Sequence, residues 1–375
     1  MSSFLGGALT GLGFGVVLYK VGATRYSRVM GMITLRDTKV MKFAFTAIGV
    51  SSLLYGLASA LGIAEDLGLV PRIMPFLGLA HVLGGVLFGA AMGVSGLCPG
   101  TCVAKAGGMA GDKKFATTAA ILGLFAGVLL YAVLKQPLTD AGIIAQQQKP
   151  LTLYGVLGLP YAPLALVWGA LFIGVAALVD RFTPERSYEP VHEKTSFLDY
   201  LRGEWSWAVA GTAAALLIVA ATAQHGYLGF SGAVLALTGW LSHAVGAPLD
   251  LVPKITDDIL WRAALLIGVF PGGLLARWTA LPSKAAALEP TPKVLSLRAL
   301  VTNFGATTTM CLGAMIGGGC TTGAFIAAWP TLSLGSLAMA GTFFAVSMAV
   351  GNGRLLLTRS LDLDKAQTLG DRVYD

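Results

Sequence analysis

Charge is what this chain has least of. Of its 375 residues only 12% are Asp, Glu, Lys or Arg, against 55% hydrophobic, and mean hydropathy is +0.73. A soluble domain carries about 25% charged residues, so a water-soluble fold is excluded and an all-α polytopic membrane protein is expected. The 19 acidic residues are scarcer than the 26 basic ones, and none lies in the body of a hydrophobic run. Cation carriers and proton relays normally hold an intramembrane carboxylate, so those classes lose support. Also missing are a P-loop, an HExxH helix and a G-x-S-x-G elbow after a strand, which removes the common nucleotide, zinc-protease and hydrolase constellations. The N-terminus has neither a basic n-region nor a small-residue cleavage site, so no cleaved leader is expected. Only four histidines occur. His81 falls in a predicted span, while His192, His225 and His243 lie in loops or flanks, where packing or interfacial roles are expected.

Long apolar runs are present instead. Spans are predicted at 3–21, 43–63, 76–97, 115–134, 161–180, 206–223, 259–281, 299–318 and 335–353, each near the roughly 20 residues needed to cross a bilayer. Counting Lys and Arg between these nine spans puts 20 on one side and 4 on the other, with Lys20 and Arg262 at helix ends. That asymmetry places the N-terminus outside and the C-terminus in the cytoplasm. The net charge of +7 then needs only these loops and anionic membrane lipid, with no nucleic-acid partner. Uncharged stretches 205–249 and 299–353 exceed one or two spans. Their surplus reads as re-entrant half-helices, tolerated at depth only where protein or a water-filled cavity covers them.

Two segments repeat one another: Gly89 to Cys102, with Cys98 followed by Pro99, Gly100 and Thr101, and Cys311 to Gly323, with Cys320 followed by Thr321 and Thr322. Each is a Gly-rich apolar helix that stops at a cysteine and restarts. The chain divides into two halves of opposite topology, 1–135 and 206–353, joined by 136–205 and ending in a cytoplasmic tail, 354–375, all within one membrane domain. Inverted repeats of this kind place their site at the repeat interface near the midplane. Segments 22–35 and 226–245 occupy matching re-entrant positions, although their sequences do not align.

Pro at a first helical position and Thr near a cap suit helix starts, whose free N–H groups and dipole attract an anion. Glycines such as Gly96, Gly318, Gly319 and Gly323 let backbone approach a ligand. A small anion held between opposed half-helix ends, with a polarisable thiol at each, is the chemistry implied. Cys102 and Cys311 have no counterpart in the other half, and packing suits each equally well. Arg25, Arg28 and Lys105 stand near the proposed re-entrant segments, as does Ser231, as accessory candidates. Two other classes stay open: a membrane thiol-redox or sulfur-transfer protein using Cys98 and Cys102, and a soft-metal transporter using the four cysteines. The three- and eight-residue spacings, on opposite predicted faces, suit a closed metal site poorly. No cofactor and no metal are expected.

The paired Gly/Cys segments, together with Gly13-Phe14-Gly15, Leu18 to Gly22 and the Arg-rich turn that follows, resemble the YeeE/YedE family of sulfur-compound transporters over most of the chain. Gly317 to Gly323 is the more specific match and Ser95 to Thr101 the looser one. The resemblance implies a thiosulfate importer of the bacterial inner membrane that hands its substrate along cysteines by weak S–H hydrogen bonds, two of them matching Cys98 and Cys320. A third thiol of that family belongs in the N-terminal re-entrant turn, where this chain has Ala23 and Thr24. Thr24 can donate an O–H but not a soft S–H, which leaves thiosulfate and related sulfur or selenium species as candidate substrates. The resemblance also implies a cytoplasmic sulfur carrier of the TusA type as a partner.

Overall fold

A computed structural model describes residues 2–108, 113–144, 149–183, 196–280 and 297–357. His192 and nearly all of the expected cytoplasmic tail lie outside them. The described residues form fourteen α-helices and no strand, only two isolated bridges. In order these are α1 (Ser2–Lys20), α2 (Tyr26–Ile33), α3 (Lys39–Ala60), α4 (Ala80–Ser95), α5 (Pro99–Gly108), α6 (Lys113–Asp140), α7 (Leu153–Leu157) and α8 (Tyr161–Phe182). Then come α9 (Phe197–Arg202), α10 (Trp207–Ala223), α11 (Phe230–Ala244), α12 (Asp257–Trp278), α13 (Leu297–Gly317) and α14 (Leu334–Leu357). Between α13 and α14 the chain makes a π-helical segment, Thr321–Ala327, and a 3-10 turn, Trp329–Thr331.

Among the described residues eight segments are long and apolar enough to cross a membrane, so the chain is a multi-pass membrane protein. The ninth expected span is α10, a helix of 17 residues. At 1.5 Å per residue it reaches only about 25 Å, short of the ~30 Å hydrocarbon core. It packs on α3 and α1 by one face and leaves Val209, Leu216 and Ala220 exposed on the other. Helix α3 begins at Lys39, four residues before its expected start, because its lysines are neutralised: Lys39 Nζ lies 2.7 Å from Glu204 and Lys42 Nζ 2.6 Å from Asp180.

The packing partners of the helices exchange in pairs. Helix α1 packs on α12, and α10 packs on α3; α6 packs on α13, and α14 packs on α4; α4 and α13 cross each other. In each series of six the second and fifth elements are shorter than the helices on either side of them: α2 and α5 in α1–α6, and α11 and the π segment from α10 to α14. Close crossings rest on glycine. Along α1, a methyl group on Gly7, Gly11 or Gly15 would overlap the carbonyl oxygens of Trp261, Leu265 and Val269 on α12. Such small-residue stripes let membrane helices gain van der Waals contact without a hydrophobic driving force.

Candidate functional site

Both helix breaks follow one local plan. Gly96 ends α4 in the left-handed region at φ +62, and Gly318 follows α13 at φ +88; each lies two residues before a cysteine. A side chain at either φ is strained, and a left-handed glycine is a common helix stop. After the cysteine the chain turns helical again. The Cys98 carbonyl accepts the Cys102 N–H at 2.9 Å, and the Cys320 carbonyl accepts the Ala324 N–H at 2.7 Å. Pro99 takes the first position of α5, where its missing N–H costs nothing. The Thr101 hydroxyl accepts the Cys98 N–H at 3.1 Å and donates to the Cys98 carbonyl at 2.9 Å, fastening the turn.

All four cysteines are free and buried. Cys98 and Cys320, from pairs expected on opposite faces, lie within electrostatic reach of one another. Cys102 lies within electrostatic reach of Cys98, and Cys311 within that of Cys320. The backbone N–H groups of Gly100 and Thr101 point at the Cys98 sulfur. From the other break, the buried Thr321 hydroxyl faces the same sulfur and makes no hydrogen bond of ordinary geometry. Thr322 is buried beside it, Gly319 packs on Ala324, and the Phe230 ring of α11 lies where a Gly100 side chain would be. Among the described residues no three of His, Cys, Asp and Glu converge closely enough to hold a metal ion.

The Cys320 break is braced by two side chains that the sequence did not single out as site residues. Tyr227 donates its hydroxyl to the Gly323 carbonyl at 2.5 Å. His81, wholly buried, accepts the Leu77 N–H at Nε2 (2.9 Å) and therefore donates Nδ1–H to the Gly317 carbonyl (2.8 Å). It ties the start of α4 to the end of α13, just before the left-handed Gly318.

Next to this break lies a cavity of about 380 Å³, lined by Gly318, Gly319, Gly323 and Ser231. Arg72, Lys135 and Arg262 also line it, from the loop before α4, from α6 and from α12. No motif marks these three cations. Their one signal in the sequence is that Arg72 and Lys135 are among only four basic residues on the sparsely charged side.

The accessory candidates of the N-terminal turn lie elsewhere, in an ionic cluster. Arg28 pairs with Asp37 at 2.5 Å and with Glu204 at 2.9 Å, and Arg25 reaches Glu204 at 3.3 Å. Burial alone would raise the Glu204 carboxyl, but Arg25, Lys39 and Arg28 outweigh it and hold it below the ordinary glutamate value of 4.5. Thr24 is half-buried in the turn between α1 and α2, and Ala23 is buried beside it. Tyr26, which opens α2, packs on Gly96, so this re-entrant helix sits against the Cys98 break. Lys105 is buried on α5, within electrostatic reach of Cys102.

This geometry places soft thiols at paired helix breaks inside a bundle of apolar helices, with a cation-lined cavity beside one break. A relative from Spirochaeta thermophila, named as thiosulfate transporter TsuA, is 25% identical over 362 residues, spanning 90% of this chain and 94% of its own length. A family model described as sulphur transport matches residues 26–351, nearly the whole helical bundle. The chain belongs to this sulphur-transport family, the YeeE/YedE transporters, and its broad function is the transport of sulfur compounds.

Proposed function

We propose that the protein carries a small sulfur-containing anion, with thiosulfate the first candidate, inward across the bacterial cytoplasmic membrane, and that it does so as a carrier and not as an enzyme. The observation that carries this reading is the meeting of Cys98 and Cys320 at two breaks of the same design. A dianion leaving water must regain its lost hydration. N–H groups at the start of α5 and the Thr321 hydroxyl supply fixed donors, while neutral thiols offer weak S–H bonds that suit a polarisable sulfur. Weak donors hold the anion long enough to enter and still release it. Deep burial of all four cysteines favours this over a reactive-thiolate role, which needs access. The relative named for thiosulfate points to the same ligand.

In this reading 1–135 and 206–353 are inverted halves, 136–205 connects them, and 354–375 is a cytoplasmic tail. The N-terminus faces the periplasm, and the cavity beside Cys320 opens outward. Anionic lipid holds the basic inner loops. A TusA-type carrier would take the sulfur compound at the inner mouth, on the α2 side.

Uptake of isotopically labelled thiosulfate into membrane vesicles is the direct test. Cys98→Ala and Cys320→Ala are each expected to cut uptake by at least about tenfold, the effect of losing roughly one hydrogen bond to a charged group, at unchanged protein level. Wild-type uptake by both variants would overturn the thiol pathway.

A further inference from the structure

Three segments of the chain join where membrane spans end. The turn between α2 and α3 meets the end of α8 through the Thr38 and Thr183 hydroxyls, 2.8 Å apart, and through Lys42, whose Nζ donates to the Thr183 carbonyl at 2.9 Å. The segment after α9 joins both, since Glu204 accepts from Lys39 and Trp207 Nε1 donates to Asp180 at 3.1 Å. Lys20, the last residue of α1, holds the Arg202 carbonyl. Lys20, Lys39 and Phe182 each end an apolar segment long enough to cross a membrane, so the junction lies level with the bilayer edge.

The rim of this junction mixes exposed apolar and exposed cationic side chains. Phe197, Leu198 and Leu201 are exposed along α9, Phe182 ends α8 with 76% of its surface exposed, and Leu35 stands exposed after α2. Leu35 holds a left-handed φ of +58, which disfavours a branched side chain. Water does nothing to offset that strain, whereas burial against an apolar neighbour does. Beside these lie Arg36, Arg181 and Arg202, all exposed and none in an ion pair among the described residues. The carboxylates of the junction are engaged elsewhere: Asp37 with Arg28, Asp180 with Lys42, Glu204 with Arg28 and Lys39, and Asp199 with the Ser196 N–H. Guanidinium groups match phosphate with paired N–H donors, and apolar side chains at the bilayer edge suit acyl chains. A free oxyanion would use the arginines and leave the apolar surface uncovered.

We infer that the rim formed by the α2–α3 turn, the end of α8 and α9 is a docking surface for an anionic phospholipid of the surrounding leaflet. A general bias of basic loops toward one leaflet needs no defined site, but this surface takes one arginine from each of three joined segments. It rests on the reading above only for naming that leaflet the inner one, and not for its ligand chemistry.

Native mass spectrometry of the purified full-length protein in a non-ionic detergent tests the surface, with phosphatidylglycerol or phosphatidylcholine of the same acyl chains added. Phosphatidylglycerol is expected to be retained at least about tenfold better than phosphatidylcholine, and Arg36→Gln, Arg181→Gln and Arg202→Gln should each weaken its retention about fivefold, the effect of one cation near an anionic surface. The Lys149→Gln/Lys254→Gln variant removes two exposed lysines of the sparsely charged side. It should hold the lipid within about twofold of wild type, because those charges lie beyond screening range. Glycerol 3-phosphate in excess should not displace the lipid. Equal retention of the two lipids would overturn the proposal, as would displacement by glycerol 3-phosphate or a triple arginine variant that holds phosphatidylglycerol as the wild type does. A wild-type dimer that the triple variant loses would overturn it too, giving the rim to a second copy of the chain. Retention that follows the three arginines, in a protein whose vesicles take up no thiosulfate, would uphold the lipid surface and sink the transport reading alone.

Discussion

At the scale of single residues, the site depends on side chains that brace the breaks as much as on the cysteines. His81 is the plainest case. Its two ring nitrogens satisfy the Leu77 N–H and the Gly317 carbonyl, both buried. His81→Ala leaves both without partners, and each orphaned group costs about 1–3 kcal/mol. We expect an unfolding free energy lower by about 2–6 kcal/mol, read from denaturation in detergent, together with impaired uptake; a fully stable variant would contradict the bracing role. From sequence, His81 was legible only as a histidine near the end of a span. Arg72, Lys135 and Arg262 were legible only as entries in a charge count. Their convergence on one recess is set by where α6, α12 and the loop before α4 end in space, and no spacing in the chain encodes that.

At the scale of elements, the sequence was most informative where backbone chemistry is local. Gly96 and Gly318 two residues before cysteine, and Pro99 just after, are helix stop and start signals that act through their own φ angles and N–H groups. The re-entrant surplus in 205–249 became α11, and that in 299–353 became the π segment and its 3-10 turn. The π form itself was not legible, since nothing in Thr321–Ala327 separates it from an ordinary short helix. Crossing faces were legible as small-residue stripes but not their partners. Gly11→Leu should drive side-chain atoms into the Leu265 carbonyl of α12 and cost about 3 kcal/mol or more. Gly174→Ala, where nothing lies within 4 Å of the new methyl, should be neutral or slightly stabilising. Equal thermal midpoints for the two variants would disprove the close α1–α12 crossing.

At the scale of the whole molecule, the ionic cluster links the N-terminal turn to the segment that leads into α10. Arg25, Arg28 and Lys39 meet Glu204, and the Lys20 ammonium donates to the Arg202 carbonyl at 2.6 Å. Because the folded Glu204 carboxyl titrates below its ordinary 4.5, its contribution is complete above that pH and fades as pH falls through the depressed value. Glu204→Gln is expected to destabilise the protein by about 3 kcal/mol at neutral pH, the lower end for breaking a buried ion pair. The gap from wild type should close on acidification below pH 4.5. A gap that stays constant with pH would show that shape, and not charge, holds this junction.

Hydropathy, charge asymmetry and the doubled Gly/Cys string determined the class of the protein, its apolar helices and the positions of its two breaks. Each of these follows from a local cause: transfer of side chains into lipid, exclusion of Lys and Arg from apolar spans, and backbone freedom at glycine. Tertiary structure decided what those local features face. It neutralised the buried lysines of α3 with Asp180 and Glu204, packed the short α10 on α1 and α3, and set the Thr321 hydroxyl of one break against the Cys98 sulfur of the other. It also turned three unremarked cations into one recess beside Cys320. Contacts between residues some 220 positions apart arise from helix packing, whose geometry is a property of all the crossing faces together and not of any one segment.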